Sequence, residues 1–255
     1  MKKFINQGNK SWRRITIWTV TILSLAVIAC LLILDSLTYK PLDEAEAVFH
    51  SNTEIGVEQL TDGYRFEPVN GDSLPPDIIF YPGGLVEPKS YAPFSRKMAE
   101  KGYRVYIAAM PLNLAVFGQN KADSFIEEYP DNRYVIGGHS LGGVFASRYA
   151  AEHSDAIDGV FFLASYADDK GALNGLDMSV LQITGTQDGV LDRSKWETAR
   201  TNLPDDTMYV DIAGANHGQF GSYGFQKGDR EAYLTAEEQL QEVTEALDHW
   251  IQEMD

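Results

Sequence analysis

Six residues, Gly138-His139-Ser140-Leu141-Gly142-Gly143, leave this chain few architectures to choose from. They follow a strand-like run, Tyr134-Val135-Ile136-Gly137, and open a helix-like run that continues to His153. In that context G-x-S-x-G reads as a sharp strand-to-helix turn. Such a turn lifts the serine hydroxyl clear of the end of a sheet. The small residues at 138 and 142 let neighbouring backbone close in. The helix start adds free N–H groups and the positive end of a dipole. Ser140 is therefore the candidate nucleophile, and the N–H of Leu141 is the first candidate oxyanion donor.

The rest of the pattern supplies the sheet that such a turn needs. Strand-like runs are Gly63–Pro68, Asp77–Tyr81, Tyr103–Ala108, Tyr134–Ile136, Val160–Ala164, Val180–Ile183 and Met208–Ile212. Helix-like runs fall between them at Tyr91–Lys101, Ala122–Tyr129, Leu141–His153 and Ser194–Asn202. Strands alternating with helices predict parallel βαβ units covered on both faces. The expected fold class is α/β, a three-layer αβα sandwich around a mostly parallel sheet. A last helix is signalled by a Thr235/Glu238 capping box, followed by Leu240, Val243, Leu247, Trp250 and Ile251 at helical spacing.

In an open parallel sheet, chemistry gathers in loops at the carboxyl ends of strands. A serine hydroxyl is weak at neutral pH and needs a general base. Of the five histidines, His50 lies near the N-terminal apolar run and His139 sits inside the turn, expected to point away from Ser140. His153 closes a helix and His249 sits in the last one. His217, in Ala213-Gly214-Ala215-Asn216-His217-Gly218, alone occupies a loop after a late strand. The acid that orients it is expected at Asp188, in Gly185-Thr186-Gln187-Asp188-Gly189, giving the chain order Ser, Asp, His. Asp168 or Asp169 is the second choice and Asp192 the third. Tyr81-Pro82-Gly83-Gly84-Leu85-Val86 follows an earlier strand with its backbone uncovered, so Gly84, or else Leu85, is the second oxyanion donor. Asn216 and Gln219 are candidates to hold His217 or the substrate.

The N-terminus carries a different signal. Ile15–Leu34 contains no charged residue. About 20 apolar residues at 1.5 Å each span a hydrocarbon core. All the bases of residues 1–34 (Lys2, Lys3, Lys10, Arg13, Arg14) precede this run, and no acid does. That asymmetry predicts a cytoplasmic N-terminus and an extracytoplasmic domain. An uncleaved anchor competes with a lipoprotein signal ending at Val27-Ile28-Ala29-Cys30 and with a cleaved signal peptide. The expected organisation is a basic tail over 1–14, a transmembrane anchor over 15–34, a linker over 35–52 and a catalytic domain over 53–255. The formal charge of the chain is −16. An acidic surface excludes nucleic acid as a partner and disfavours polyanionic substrates. Cys30 is the only cysteine, so the domain has neither a disulfide nor a thiolate nucleophile.

With these residues in place, the chain resembles the α/β-hydrolase superfamily, and within it the compact bacterial α/β hydrolase fold-5 group. The segments that carry the resemblance are IIFYPGGLVEPKSYAPFSRKMAEKGY, MPLNLAVF, GGHSLGG, ASYADD, ITGTQDGV and GANHGQFGSYGFQKGD, over roughly 77–230. It implies Ser140 as nucleophile, Asp188 as acid and His217 as base. Few residues separate the strands ending near Ala164 and starting near Val180, so a minimal lid, or none, and an open site are expected. Residues 110–117, Tyr166 and 220–223 are candidate acyl-pocket residues. The function expected is carboxylesterase-like hydrolysis of an ester, thioester or amide in a small-molecule or lipid acyl substrate. The alternatives are acyl transfer by the same residues and a non-catalytic binding protein. No HExxH, CxxC or phosphate loop occurs, so no metal or other cofactor is expected.

Overall fold

A computed structural model of the chain describes residues 5–71 and 73–254, with side chains from Trp12 onward. Most of the basic tail (Lys2, Lys3, Lys10) therefore lies outside the described side chains. The chain forms two compact units that meet between Thr38 and Tyr39. The first is one helix, α1 (Ile5–Leu37). Its stretch Trp12–Leu37 is long and apolar enough to cross a membrane.

The second unit is built on one sheet. Its strands are β1 (Ile55–Gln59), β2 (Gly63–Pro68), β3 (Leu74–Tyr81), β4 (Tyr103–Ala108), β5 (Tyr134–His139), β6 (Gly159–Leu163), β7 (Ser179–Gly185) and β8 (Met208–Ile212), in the order β1-β2-β4-β3-β5-β6-β7-β8. β1 and β2 run antiparallel to their neighbours. All other pairings are parallel. The helices are α2 (Asp43–Ala47), α3 (Ala92–Glu100), α4 (Asp123–Ile126), α5 (Leu141–Glu152), α6 (Arg193–Ala199) and α7 (Ala236–Gln252).

Strand alternation builds two cores from one sheet. In β3, Ile78 and Phe80 face one cluster with Phe94 and Met98 of α3 and Val243, Leu247 and Trp250 of α7. Ile79 and Tyr81 face the other, with Phe145 and Tyr149 of α5 and Phe125 of α4. β6 divides the same way, with Phe161 and Leu163 on the first face and Val160 and Phe162 on the second. The result is the expected three-layer α/β sandwich. Residues 164–178, between β6 and β7, hold only a 3-10 turn at Asp169–Gly171, so no lid helix covers this edge.

Three elements differ from expectation. β1 is an additional strand, hidden in the sequence because this edge strand carries Gly56 and two exposed polar residues. The helix expected over 122–129 is a single turn, α4. Beyond it the Tyr134 hydroxyl donates to the Tyr129 carbonyl at 2.8 Å, and Pro130 has no N–H with which to continue a helix. The stretch expected as a linker is structured from Tyr39 on. The Tyr39 N–H donates to the Leu85 carbonyl at 2.8 Å, the Glu87 N–H to the Tyr39 carbonyl at 3.0 Å, and the Leu42 N–H to the Ser222 carbonyl at 2.9 Å.

Candidate active site

Backbone strain marks one edge of the sheet. Among the described residues, those other than glycine with positive φ are Leu85, Leu112, Asn113, Ser140 and Ala164. Each follows the carboxyl end of a strand: Leu85 after β3, Leu112 and Asn113 after β4, Ser140 after β5, Ala164 after β6. Strain of this kind persists only where surrounding structure enforces it, and it clusters at functional sites.

Ser140 sits between β5 and α5 with φ 50° and ψ −121°. Its N–H donates to the Leu163 carbonyl at 2.9 Å. Its carbonyl accepts from the Ser165 hydroxyl at 2.6 Å and from the Gly143 N–H at 3.2 Å. Gly142 explains why a glycine is required in the motif: a Cβ there would overlap the Tyr81 and Pro82 carbonyls. Ser140 and Leu141 remain partly exposed. As the first residue of α5, Leu141 carries one of the N–H groups that a helix cannot satisfy internally.

Asp188 and His217, from the loops after β7 and β8, meet with Oδ2 and Nδ1 2.8 Å apart. Both are buried, at 2% and 1% exposure. The other Asp188 oxygen accepts from the N–H groups of Val190 and Leu191, each at 2.8 Å. Burial pushes the Asp188 carboxyl up. The hydrogen bond and charge of His217, with the Leu191 and Val190 N–H groups, outweigh it and hold the group below its ordinary value. The Nε2 of His217 is buried with no hydrogen-bond partner among the described residues. That leaves one ring nitrogen oriented by a carboxylate and the other uncommitted.

The other acid candidates are engaged elsewhere. Asp168 pairs with Arg148 and caps the turn at Gly171. Asp169 accepts from Asn202, and Asp192 caps α6 through the Lys195 N–H.

The glycine loop after β3 separates its donors. The Gly83 N–H donates to the Tyr91 hydroxyl at 3.0 Å. The Leu85 N–H donates to the Asn113 carbonyl at 2.7 Å, which removes Leu85 from the oxyanion role. No protein acceptor takes the Gly84 N–H among the described residues. A Cβ on Gly84 would lie 3.1 Å from Cδ2 of Leu141, so the two candidate donors belong to residues in contact.

Asn216 serves the loop, whereas the Gln219 side-chain oxygen is buried with no partner among the described residues. The Asn216 amide donates to the Arg230 carbonyl at 2.8 Å and its oxygen accepts from the Gln219 N–H at 3.0 Å. Of the acyl-pocket candidates, Leu112, Val116 and Phe117 are exposed, whereas Phe220 and Tyr223 are buried. Tyr166 borders a cleft with Asp168 and Ser194.

His139 is the residue that sequence reasoning underrated. Its ring lies 4.5 Å from that of His217 and stacks on Phe220 at 5.7 Å. Its Nδ1 is 2.9 Å from the Tyr91 hydroxyl. The same hydroxyl accepts from the Gly83 N–H, which links the glycine loop to the His139 ring. Burial, and then the neighbouring His217, push the His139 imidazole well below its ordinary value, so it is neutral. Among the described residues no group of three or more His, Cys, Asp and Glu could hold a metal ion.

Residues 77–241 match the family model described as "Alpha/beta hydrolase family". Among solved structures, a CIB-like hydrolase of Thermoplasma acidophilum superposes with a TM-score of 0.56 at 17% identity, covering 76% of this chain and 99% of that one. A thermostable esterase of Pseudomonas putida gives 0.58 at 13% identity, covering 83% and 88%. An alpha/beta hydrolase from a Mar Chica lagoon metagenome gives 0.58 at 15%, covering 78% and 98%. No curated protein matches the chain.

Proposed function

Because this chain belongs to the alpha/beta hydrolase family, we propose that it is a membrane-anchored serine hydrolase whose catalytic unit faces away from the cytoplasm. The observation that carries this reading is the buried Asp188–His217 pair, with Nε2 uncommitted beside the strained Ser140 turn. Ser140 attacks the carbonyl of an ester, thioester or amide. His217 takes the serine proton through Nε2 and returns it to the leaving group. Asp188 holds the ring by Nδ1 and stabilises the imidazolium. The N–H groups of Leu141 and Gly84 stabilise the tetrahedral oxyanion. Water, activated by the same histidine, releases the acyl group. The loop between β6 and β7, which carries no inserted helix, suits a small-molecule or lipid acyl substrate. The helix over Trp12–Leu37 and the bases before it support an anchor with a cytoplasmic N-terminus.

A membrane-impermeant fluorophosphonate applied to intact cells tests both halves. The wild-type chain is labelled and S140A is not, with ester turnover falling at least about 10⁴-fold. Labelling of S140A overturns the nucleophile. Labelling of the wild type only after lysis overturns the orientation.

A further inference from the structure

The segment GSYGFQKGDR (221–230) follows the base loop, and the mechanism above leaves it unused. Its Asp229 is 9% exposed. One carboxylate oxygen, Oδ1, accepts from the Gly189 N–H and the Arg230 N–H, each at 2.9 Å. The other, Oδ2, accepts from the Gly218 N–H at 2.8 Å. Gly189 is the residue after Asp188, and Gly218 is the residue after His217. One buried carboxylate thus joins the loop of the acid to the loop of the base.

Packing supports the same join. A Cβ on Gly189 would lie 2.8 Å from the Gly228 carbonyl oxygen, and one on Gly218 would lie 3.1 Å from that of Gly224. Gly189 therefore approaches 221–230 too closely for a side chain, and at Gly218 a methyl group would displace the Gly224 carbonyl by a few tenths of an ångström. A charge-assisted bond to a backbone N–H is stronger and shorter than a neutral one.

We propose that Asp229 is a positioning residue that sets the distance and angle between Asp188 and His217. The proposal rests on the triad reading above. The stems of the two loops are tied on the strand side by the Gln187 N–H, which donates to the Ala215 carbonyl at 2.8 Å. Asp229 ties them on the other side, at the residues that follow Asp188 and His217, so the side-chain bond is anchored from both directions.

D229N tests this in the full-length chain. Asparagine keeps one acceptor oxygen and turns an NH₂ toward a backbone N–H. The kcat falls by about tenfold or more, since small misplacements in a catalytic pair are costly, and KM stays within about twofold. The acid limb of kcat/KM moves to lower pH, because an imidazole less well paired with a carboxylate holds its proton less tightly. The low-field Nδ1 proton resonance of His217 shifts or broadens.

A stability loss alone would move none of these. Asp248 of α7 accepts from the Tyr103 hydroxyl and Lys101 away from these loops, and D248N leaves the limb and the resonance in place. G189A, whose methyl group would lie 2.8 Å from the Gly228 carbonyl oxygen and which needs no buried charge, reproduces the limb shift. Wild-type kcat, limb and resonance in folded D229N overturn the proposal. So does a wild-type limb in G189A, whether or not D229N folds. Loss of Ser140-dependent labelling in the wild type would instead overturn the reading on which it rests.

Discussion

The turn at Ser140 and the loop at His217 hold their side chains in opposite ways. Ser140 is held through its backbone groups: a strained φ, an N–H on the Leu163 carbonyl, a carbonyl that accepts from Gly143 and the Ser165 hydroxyl, and a following glycine pressed against the Tyr81 carbonyl. His217 is held from outside. Buried Gln239, 23 residues along the chain, accepts from the Asn216 N–H at 3.0 Å and donates to the Asn216 carbonyl at 2.8 Å. Asp229 holds Gly218, and Asn216 bonds to Arg230. In the proposed mechanism the nucleophile is positioned through its backbone, and the base, which moves a proton in both directions, is steadied by side chains drawn from later in the chain.

The largest effect that would break this contrast is expected in the turn. Gly142 has no room for a methyl group, so G142A forces the start of α5 away from β3. Overpacking of this kind costs about 3 kcal/mol, or roughly 6–12 °C in Tm for a unit of this size. Thermal melts of the full chain in detergent check it. A G142A variant that melts with the wild type and keeps full turnover would show that the turn is less dependent on local backbone than argued.

A smaller effect is expected in the frame. Q239A leaves the N–H and C=O of Asn216 without partners in a buried setting. An unsatisfied group costs about 1–3 kcal/mol, and truncation to alanine lets water reach both groups, so the two together cost about 2 kcal/mol. The contrast sharpens if the variant loses kcat while fluorophosphonate labelling, slowed, remains dependent on Ser140. It collapses if Q239A destabilises the chain and leaves kcat unchanged, since the base loop would then hold its geometry unaided.

This difference also explains what was legible in the sequence. The fold could be read because its signals are local: apolar strands bounded by glycine and proline, the turn motif, and the Thr235/Glu238 capping box, which the structure contains in full. Ser140 was named from five residues and their immediate context. Gln239 sits in a helix where an amide looks like surface, and only the tertiary approach of α7 buries it at the base loop. His139 was expected to point away from Ser140. It does lie in the adjacent strand position, but that position faces the aromatic side of the core. Tyr39 read as linker because no local pattern shows that its backbone pairs with Leu85 and Glu87, or that its hydroxyl accepts from the Lys227 N–H at 3.1 Å.

His139 is the one side chain that belongs to both regions, and it provides the smallest and most selective test. It stands in the turn motif, yet its ring packs on His217 and its Nδ1 lies 2.9 Å from the Tyr91 hydroxyl. Burial keeps it neutral in the folded state, with its pKa depressed. The unfolded chain, with an imidazole near 6.5, binds that proton more readily. Stability from this group is therefore full above about pH 6.5 and declines as pH falls below it, by at most about 1.4 kcal/mol per pH unit. The depressed carboxyl of Asp188 contributes its own loss only at lower pH, below the ordinary carboxylate value near 3.8. Asp77, whose carboxyl burial pushes above its ordinary value, titrates alike in wild type and H139N, so the difference between the two chains from about pH 6.5 to pH 4 isolates the histidine. H139N keeps an acceptor near the Nδ1 position for Tyr91 and removes the titrating ring. Urea melts of both chains across this window should show the wild type losing stability relative to H139N as pH falls. A constant difference between them would mean that the ring is not held neutral against His217, and that the turn and the base loop do not share this side chain.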